Sequence, residues 1–131
     1  MDLFEECFEV LGPQASIIQD IQEQEKLISK LVELFPLTSW GRIDWNNVEK
    51  KQTINSIEEL IPILKKRKKA FDCVYIIWDD GGIPTVQSNL QPIVEHLEDV
   101  IAVALDTWIY CPSEGWVVEF HHDGEITLGF E

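Results

Sequence analysis

The fold is decided near the C-terminus by the stretch Trp116-Val117-Val118-Glu119-Phe120-His121-His122-Asp123-Gly124-Glu125-Ile126-Thr127-Leu128-Gly129-Phe130. Apolar and polar residues alternate on both sides of Asp123-Gly124, a pattern typical of a β-hairpin. A two-residue turn would place Phe120 opposite Thr127 and mix the apolar and polar faces. A three-residue loop, 122–124, with Gly124 left-handed, places Phe120 opposite Ile126 instead. Because a one-residue slip exchanges the two faces, burial favours the loop of three. The predicted buried face then consists of Trp116, Val118, Phe120, Ile126, Leu128 and Phe130.

The segments before this hairpin predict further strands and helices. A strand is predicted at 72–79, where residues 73–78 are all apolar, and this unbroken run indicates a central strand covered on both faces. A strand at about 102–111 would complete a three-stranded meander with the hairpin. Helical periodicity and capping residues predict further elements. These are helices at 14–35, 56–69 and 86–99, a short helix at 2–11, and a short edge strand at 40–45.

These elements predict a single α/β (α+β) domain over residues 1–131. Helices would pack on a mostly antiparallel sheet of about four to six strands that ends in the meander. A helical part at about 1–70 would precede a sheet-rich acidic part at about 71–131. With 131 residues, 45% of them hydrophobic, the chain can bury a substantial core.

Charge is divided unevenly along the chain, whose net charge is −14. All 10 Lys and Arg residues lie between Lys26 and Lys69. A segment without bases projects a negative field that repels nucleic acid and attracts cationic surfaces, although solubility alone is an alternative reason for it. Residues 70–131 contain no base, and their carboxylates are Asp72, Asp79, Asp80, Glu95, Glu98, Asp99, Asp106, Glu114, Glu119, Asp123, Glu125 and Glu131.

The start of the chain and its cysteines indicate a cytoplasmic protein. The first residues have neither the basic region nor the long apolar core of a signal peptide. No apolar run approaches the roughly 18 residues that span a bilayer. Cys7, Cys73 and Cys111 are far apart and form no metal-binding pair, so we interpret them as reduced thiols, mostly in the core.

Two short motifs could indicate a metal site or an enzyme, and the sequence favours neither. Adjacent side chains on a strand point to opposite faces, which argues against joint chelation by His121 and His122. Asp79 and Asp80 precede two glycines, as in an ordinary turn. No metal and no catalytic residue is therefore predicted. A small metal-dependent hydrolase that uses Asp79, Asp80 and His121 remains an alternative, and a Cys111–His121 nucleophile is disfavoured because nothing local lowers the cysteine's pKa.

The acidic half also contains a candidate surface for a basic protein partner. Trp108 and Tyr110 share one face of their predicted strand near several carboxylates, and an aromatic centre inside an acidic rim is typical of a binding hot spot. Burial of both aromatics in the core is the alternative. The predicted partner-binding residues are Asp79, Asp80, Asp106, Trp108, Tyr110, Glu114, Glu119 and Asp123. An alternative helical patch consists of Glu95, Glu98 and Asp99.

Residues 40–45 (WGRIDW) and 110–130 resemble small bacterial immunity proteins of contact-dependent growth inhibition and related polymorphic-toxin systems. The resemblance implies a non-enzymatic, cofactor-free cytoplasmic protein that neutralises a cognate toxin domain by tight one-to-one binding. Many such toxins are nucleases, which are basic because they bind a phosphate backbone. An acidic adaptor or regulatory module that binds no toxin is the remaining alternative.

Overall fold

All 131 residues are described by a computed structural model, in which a seven-stranded sheet is the central feature. Its strands are β1 (Ser16–Ile17), β2 (Lys50–Ile54), β3 (Val74–Trp78), β4 (Val86–Ser88), β5 (Thr107–Cys111), β6 (Trp116–Phe120) and β7 (Ile126–Phe130). They lie in the order β1-β4-β3-β5-β6-β7-β2, and every neighbouring pair is antiparallel. The predicted α/β (α+β) class and the closing meander are confirmed, with one strand more than the expected range.

The register of the final hairpin is the one that burial favours. Trp116 pairs with Phe130, and Phe120 pairs with Ile126. The backbone N–H of His121 donates to the carbonyl of Glu125 at 3.0 Å, which closes a loop of three residues. Gly124 has φ +96° in that loop, a conformation that glycine adopts without a steric penalty. The prediction of a three-residue loop is confirmed.

Helices cover both faces of the sheet. They are α1 (Leu3–Leu11), α2 (Ile21–Leu34), α3 (Leu60–Lys66), α4 (Leu90–Glu95) and α5 (Leu97–Ile101). One core joins α1, α3, α4 and α5 to the face that carries Ile76 and Val118, and a second core joins α2 to the face that carries Ile77 and Val117. Strand β3 is therefore covered on both sides, as its unbroken apolar run predicts.

Two predicted helices begin several residues later than their periodicity indicated, and the helix predicted at 56–69 consists of a 3₁₀ turn at Ile57–Glu59 followed by α3. The helix expected at 14–35 begins at Ile21, after Asp20, whose carboxylate accepts a hydrogen bond from the Gln22 N–H at 2.9 Å. The residues before it form β1, which pairs with β4. The helix expected at 86–99 is also preceded by a strand, because 86–88 joins β3 and only 90–101 is helical. In both places the apolar residues are spaced as in a helix, but the segment pairs with a neighbouring strand of the sheet instead.

The edge strand predicted at 40–45 is wrong. Residues 37–46 form a loop with a single β-bridge between Leu37 and Ile43. The end of this loop overlaps a short 3₁₀ turn at Trp45–Asn47. The edge of the sheet is instead β2, which pairs along its whole length with β7. Four of its five residues are exposed, so it lacks the apolar alternation by which strands are recognised.

Candidate partner-binding surface

The loop at 37–46, which we call the Trp40 loop, is fixed to the sheet by the buried carboxylate of Glu119. This side chain is only 1% exposed. It accepts hydrogen bonds from Arg42 Nε at 2.8 Å, from the Ile43 backbone N–H at 2.9 Å, and from the indole N–H groups of Trp45 and Trp108 at 3.0 Å each. A buried carboxylate is stable only when its lone pairs are satisfied in this way. Glu119 therefore has a structural role in positioning the loop.

Two further contacts hold the base of the Trp40 loop. Arg42 extends from Glu119 to Glu125, where its Nη2 lies 2.5 Å from a carboxylate oxygen. The ring of Trp45 packs on Gly129 so closely that a Cβ at this glycine would lie 2.6 Å from Trp45 Cζ3. Gly129 is thus required for close approach of the indole to the strand. The loop base has little freedom to move.

The tip of the loop presents an aromatic side chain to solvent. Trp40 is 78% exposed, more than any other tryptophan or phenylalanine in the chain. It lines an open groove of about 590 Å³ together with other residues of the loop and Glu125. Trp40 is not among the binding residues predicted from the sequence. The available signal was a tryptophan beside a glycine in a segment that also contains Arg42 and Asp44.

Several predicted site residues converge at one end of the sheet, which we call the acidic end and define as Asp79, Asp80, Asp106 and Asp123. The backbone N–H of Asp106 donates to Asp79 Oδ1 at 3.2 Å, because β3 ends where β5 begins. Asp80 Oδ1 accepts the Gly82 N–H at 2.8 Å, which confirms the predicted turn. The amides fix these carboxylates but contribute no positive charge.

Asp123 lies in the adjoining β6–β7 loop. The pKa of its carboxyl group is lowered, first by the hydrogen bond from the backbone N–H of Glu125 and then by His121. The carboxylate is therefore charged at neutral pH. Leu105, immediately before Asp106, is 73% exposed and adds an apolar side chain beside this acidic end.

The expectation that His121 and His122 point to opposite faces is wrong. Strand β6 ends at Phe120, so neither histidine lies within the strand. Their rings stack with centroids 4.1 Å apart. His121 Nδ1 lies 2.9 Å from Asp123 Oδ1, and His122 Nδ1 lies 3.0 Å from Asp106 Oδ1.

Other predicted residues are buried or lie elsewhere. Trp108 is 6% exposed and Tyr110 is fully buried, so both belong to the core beneath α2 and do not form an aromatic centre at the surface. Glu114 lies in the β5–β6 turn at the opposite end of the sheet, where it accepts the Ala70 N–H at 2.9 Å. Trp108, Tyr110 and Glu114 therefore contribute no side chain to the acidic end.

The alternative helical patch and the cysteines lie outside the Trp40 loop and the acidic end. Glu95, Glu98 and Asp99 lie in α4 and α5, which pack on the sheet face opposite the Trp40 loop. Cys7 and Cys111 are buried and Cys73 is exposed, all as free thiols. Burial raises the pKa of Cys111, and this residue lies at the end of β5 away from His121, so the two form no nucleophilic pair.

An exposed tryptophan on a fixed loop and a neighbouring group of carboxylates are features of a protein-binding domain. The chain belongs to the family of CdiI immunity proteins described as EcoliA0-like, whose family model matches residues 1–129. Members of this family are inhibitors that neutralise a toxin and are not enzymes. Among curated proteins, none matches the chain. None of the helices combines the length and the apolar character needed to cross a bilayer.

Proposed function

We propose that this immunity protein binds the catalytic domain of a basic nuclease toxin, one to one in the cytoplasm, and blocks the cleft that holds nucleic acid. The binding surface consists of the Trp40 loop and the acidic end. The observation that carries the proposal is that an exposed tryptophan on a rigid loop adjoins carboxylates with which no lysine or arginine forms an ion pair.

Charge supports this choice of partner. Arg42 is the only lysine or arginine in an ion pair, and its two partners are Glu119 and Glu125. The carboxylates of Asp79 and Asp80 are exposed and accept only backbone hydrogen bonds. A nuclease cleft is positively charged because it binds phosphates. Complementary potentials accelerate encounter and oppose the binding of neutral or acidic proteins.

Rigidity supports the position of the surface. Binding is weakened when an interface loop must be ordered, and this cost is smaller when the loop is already fixed in the free protein. Glu119 and the packing of Trp45 fix the base of the Trp40 loop from below. Trp40 can therefore insert into a pocket of the partner with a small loss of backbone entropy. Among the predicted binding residues, Trp108, Tyr110 and Glu119 act indirectly in this scheme, as the support beneath the loop.

Binding to the toxin domain encoded by the gene next to this one tests the proposal. Trp40→Ala is expected to weaken binding at least about 30-fold, the loss of about 2 kcal/mol that defines a hot spot. Inhibition of the toxin's nuclease activity should require correspondingly more protein. Titration calorimetry gives the affinity and the stoichiometry, and cleavage of labelled RNA and DNA gives the inhibition.

Leu3→Ala is the matched control for exposed apolar surface. Leu3 is 53% exposed and lies on α1, which packs on the other face of the sheet. Its replacement should leave the affinity unchanged. Equal losses for Trp40→Ala and Leu3→Ala would contradict the proposed surface. A toxin domain that cleaves no nucleic acid would contradict the proposed class of toxin.

A further inference from the structure

We infer that Asp106, His121 and His122 form a binding site for a divalent transition-metal ion, with Zn²⁺ as the best match. Each of the three residues offers one donor atom, and these atoms all lie within 4.8 Å of one another. The inference concerns a separate chemistry at the acidic end and does not depend on the nature of the toxin.

The backbone brings the three side chains together. Asp106 directly precedes β5, and His121 directly follows β6. Thr107 pairs with Phe120 across these two strands, so the residues just beyond this pair meet at the same end of the sheet. The backbone N–H of His122 donates to Asp106 Oδ1 at 2.8 Å, which fixes the loop against that carboxylate.

The three side chains already lie against one another. The imidazole rings lie with centroids 4.1 Å apart at an interplanar angle of 33°. The side chains of Asp106 and His121 are only 15% and 14% exposed, whereas His122 is 53% exposed. Asp106 and His121 are therefore largely shielded from solvent, whereas His122 lies on the solvent side of the cluster.

The donor set decides the class of ion. Two imidazole nitrogens and one carboxylate oxygen suit Zn²⁺, Ni²⁺ or Cu²⁺, whereas Mg²⁺ and Ca²⁺ prefer oxygen ligands alone. Three protein ligands leave at least one coordination position for water or for a donor from another molecule. Because His122 is half exposed, that position is accessible to such a ligand.

Asp123 supplies the outer support that metal-binding histidines normally have. Its Oδ1 lies 2.9 Å from His121 Nδ1, so that this nitrogen can donate to the carboxylate and leave Nε2 free for the ion. The competing contact to the same nitrogen, from the Asp123 backbone N–H, is longer at 3.3 Å. Asp123 Oδ1 is itself held by the Glu125 N–H at 2.8 Å. We therefore assign Asp123 as a positioning residue for His121.

Titration of untagged protein with ZnCl₂ tests this site by calorimetry and by NMR of the histidine ring nitrogens. We expect one Zn²⁺ per chain, with large ¹⁵N shifts for one ring nitrogen each of His121 and His122. His122→Ala and Asp106→Asn should abolish saturable binding. Asp123→Asn should weaken it by roughly 10–100-fold, the range seen when an outer-shell partner is lost. MgCl₂ should give no binding.

Two variants serve as controls for other possible ligands. His96 is the third histidine of the chain, and Cys73 is its exposed thiol. His96→Ala and Cys73→Ser should bind Zn²⁺ like the unmodified protein. No saturable Zn²⁺ binding, or unshifted ring nitrogens of His121 and His122, would overturn the inference. Loss of binding in either control variant would also overturn it, and the NMR result on the unmodified protein decides even where a variant fails to fold.

Discussion

Glu119 on β6 and Arg42 in the Trp40 loop, 77 residues apart in sequence, are joined by a hydrogen bond of 2.8 Å between Oε1 and Nε. This contact brings Arg42, the only lysine or arginine in an ion pair, to the acidic half of the chain. No lysine or arginine forms an ion pair with the carboxylates of the acidic end, where Asp106 and Asp123 contact His122 and His121 instead. The same hydrogen bond fixes the loop that presents Trp40. Glu119 therefore determines both the position of Arg42 and the position of the loop.

Replacing Glu119 should unfold the loop base and lower stability. Glu119→Ala leaves a guanidinium and two indole N–H groups without their acceptor, and we expect the free energy of unfolding to fall by about 3–5 kcal/mol. Glu119→Gln keeps one acceptor oxygen and should cost about 1.5–3 kcal/mol. Urea denaturation followed by tryptophan fluorescence measures both values.

Glu98→Gln is the control for loss of a carboxylate. Glu98 is exposed on α5, and its removal should change stability by less than about 0.5 kcal/mol. If Glu119→Ala were no more destabilising than this control, the four hydrogen bonds to Glu119 would not hold the loop.

Tyr110 is expected to be replaceable by phenylalanine without loss of stability. Its hydroxyl group is buried and has no hydrogen-bond partner. Burial of an unpaired hydroxyl is unfavourable, so Tyr110→Phe should raise the free energy of unfolding by about 1 kcal/mol. Urea denaturation at neutral pH provides the comparison. Destabilisation would show that the hydroxyl has a partner, such as a buried water.

The same tyrosine predicts a dependence of stability on pH. Burial, and secondly the charge of Glu131, raise the pKa of Tyr110 from 10.0 to about 12. Between these values the folded protein retains a proton that the unfolded chain has lost, so its contribution to stability falls as pH rises and is complete below pH 10. The advantage of Tyr110→Phe over the unmodified protein should therefore grow between about pH 10 and pH 12. An unchanged difference would contradict the raised pKa.

Replacement of Phe120 and of Trp40 by alanine should change the free energy of unfolding by very different amounts, because one side chain is in the core and the other is at the surface. Phe120 is 5% exposed and packs in the larger core, so Phe120→Ala should cost about 3–5 kcal/mol. Trp40→Ala removes an exposed ring and should alter stability by less than about 0.5 kcal/mol. Thermal and urea unfolding test both. A strongly destabilised Trp40→Ala variant would contradict the assignment of Trp40 to binding.

The sequence predicts best where one pattern dominates. Alternation around Asp123-Gly124 predicts the hairpin register because a one-residue slip would place Phe120 opposite Thr127 instead of Ile126 and mix the two faces. It does not predict β2, whose register comes from pairing with β7 and not from its own exposed residues. Nor does it predict that β6 ends at Phe120 or that the rings of His121 and His122 lie with centroids 4.1 Å apart.

The positions of the residues in the candidate binding surface differ in how far the sequence predicts them. The acidic end follows from carboxylates that flank predicted strands, since antiparallel strands end at common positions. Burial of Trp108 and exposure of Trp40 could not be predicted from their local sequence. They depend on α2 and on the contacts of Glu119, which are distant in the chain.

The measurement that tests the central claim most directly is the association rate with the neighbouring toxin domain as a function of ionic strength. Three proteins are compared: the unmodified protein, Asp79→Asn/Asp80→Asn at the acidic end, and Glu95→Gln/Glu98→Gln in the helical patch. All four side chains are exposed, and each double variant removes two charges. Asparagine also keeps an oxygen that can accept the amide hydrogen bonds of Asp79 and Asp80.

We predict that association of the unmodified protein slows as salt rises towards physiological strength, where the Debye length is about 8 Å. Asp79→Asn/Asp80→Asn should associate more slowly and with a weaker dependence on salt, whereas Glu95→Gln/Glu98→Gln should differ little from the unmodified protein. A rate that is independent of salt, or equal effects of the two double variants, would contradict recognition through the acidic end.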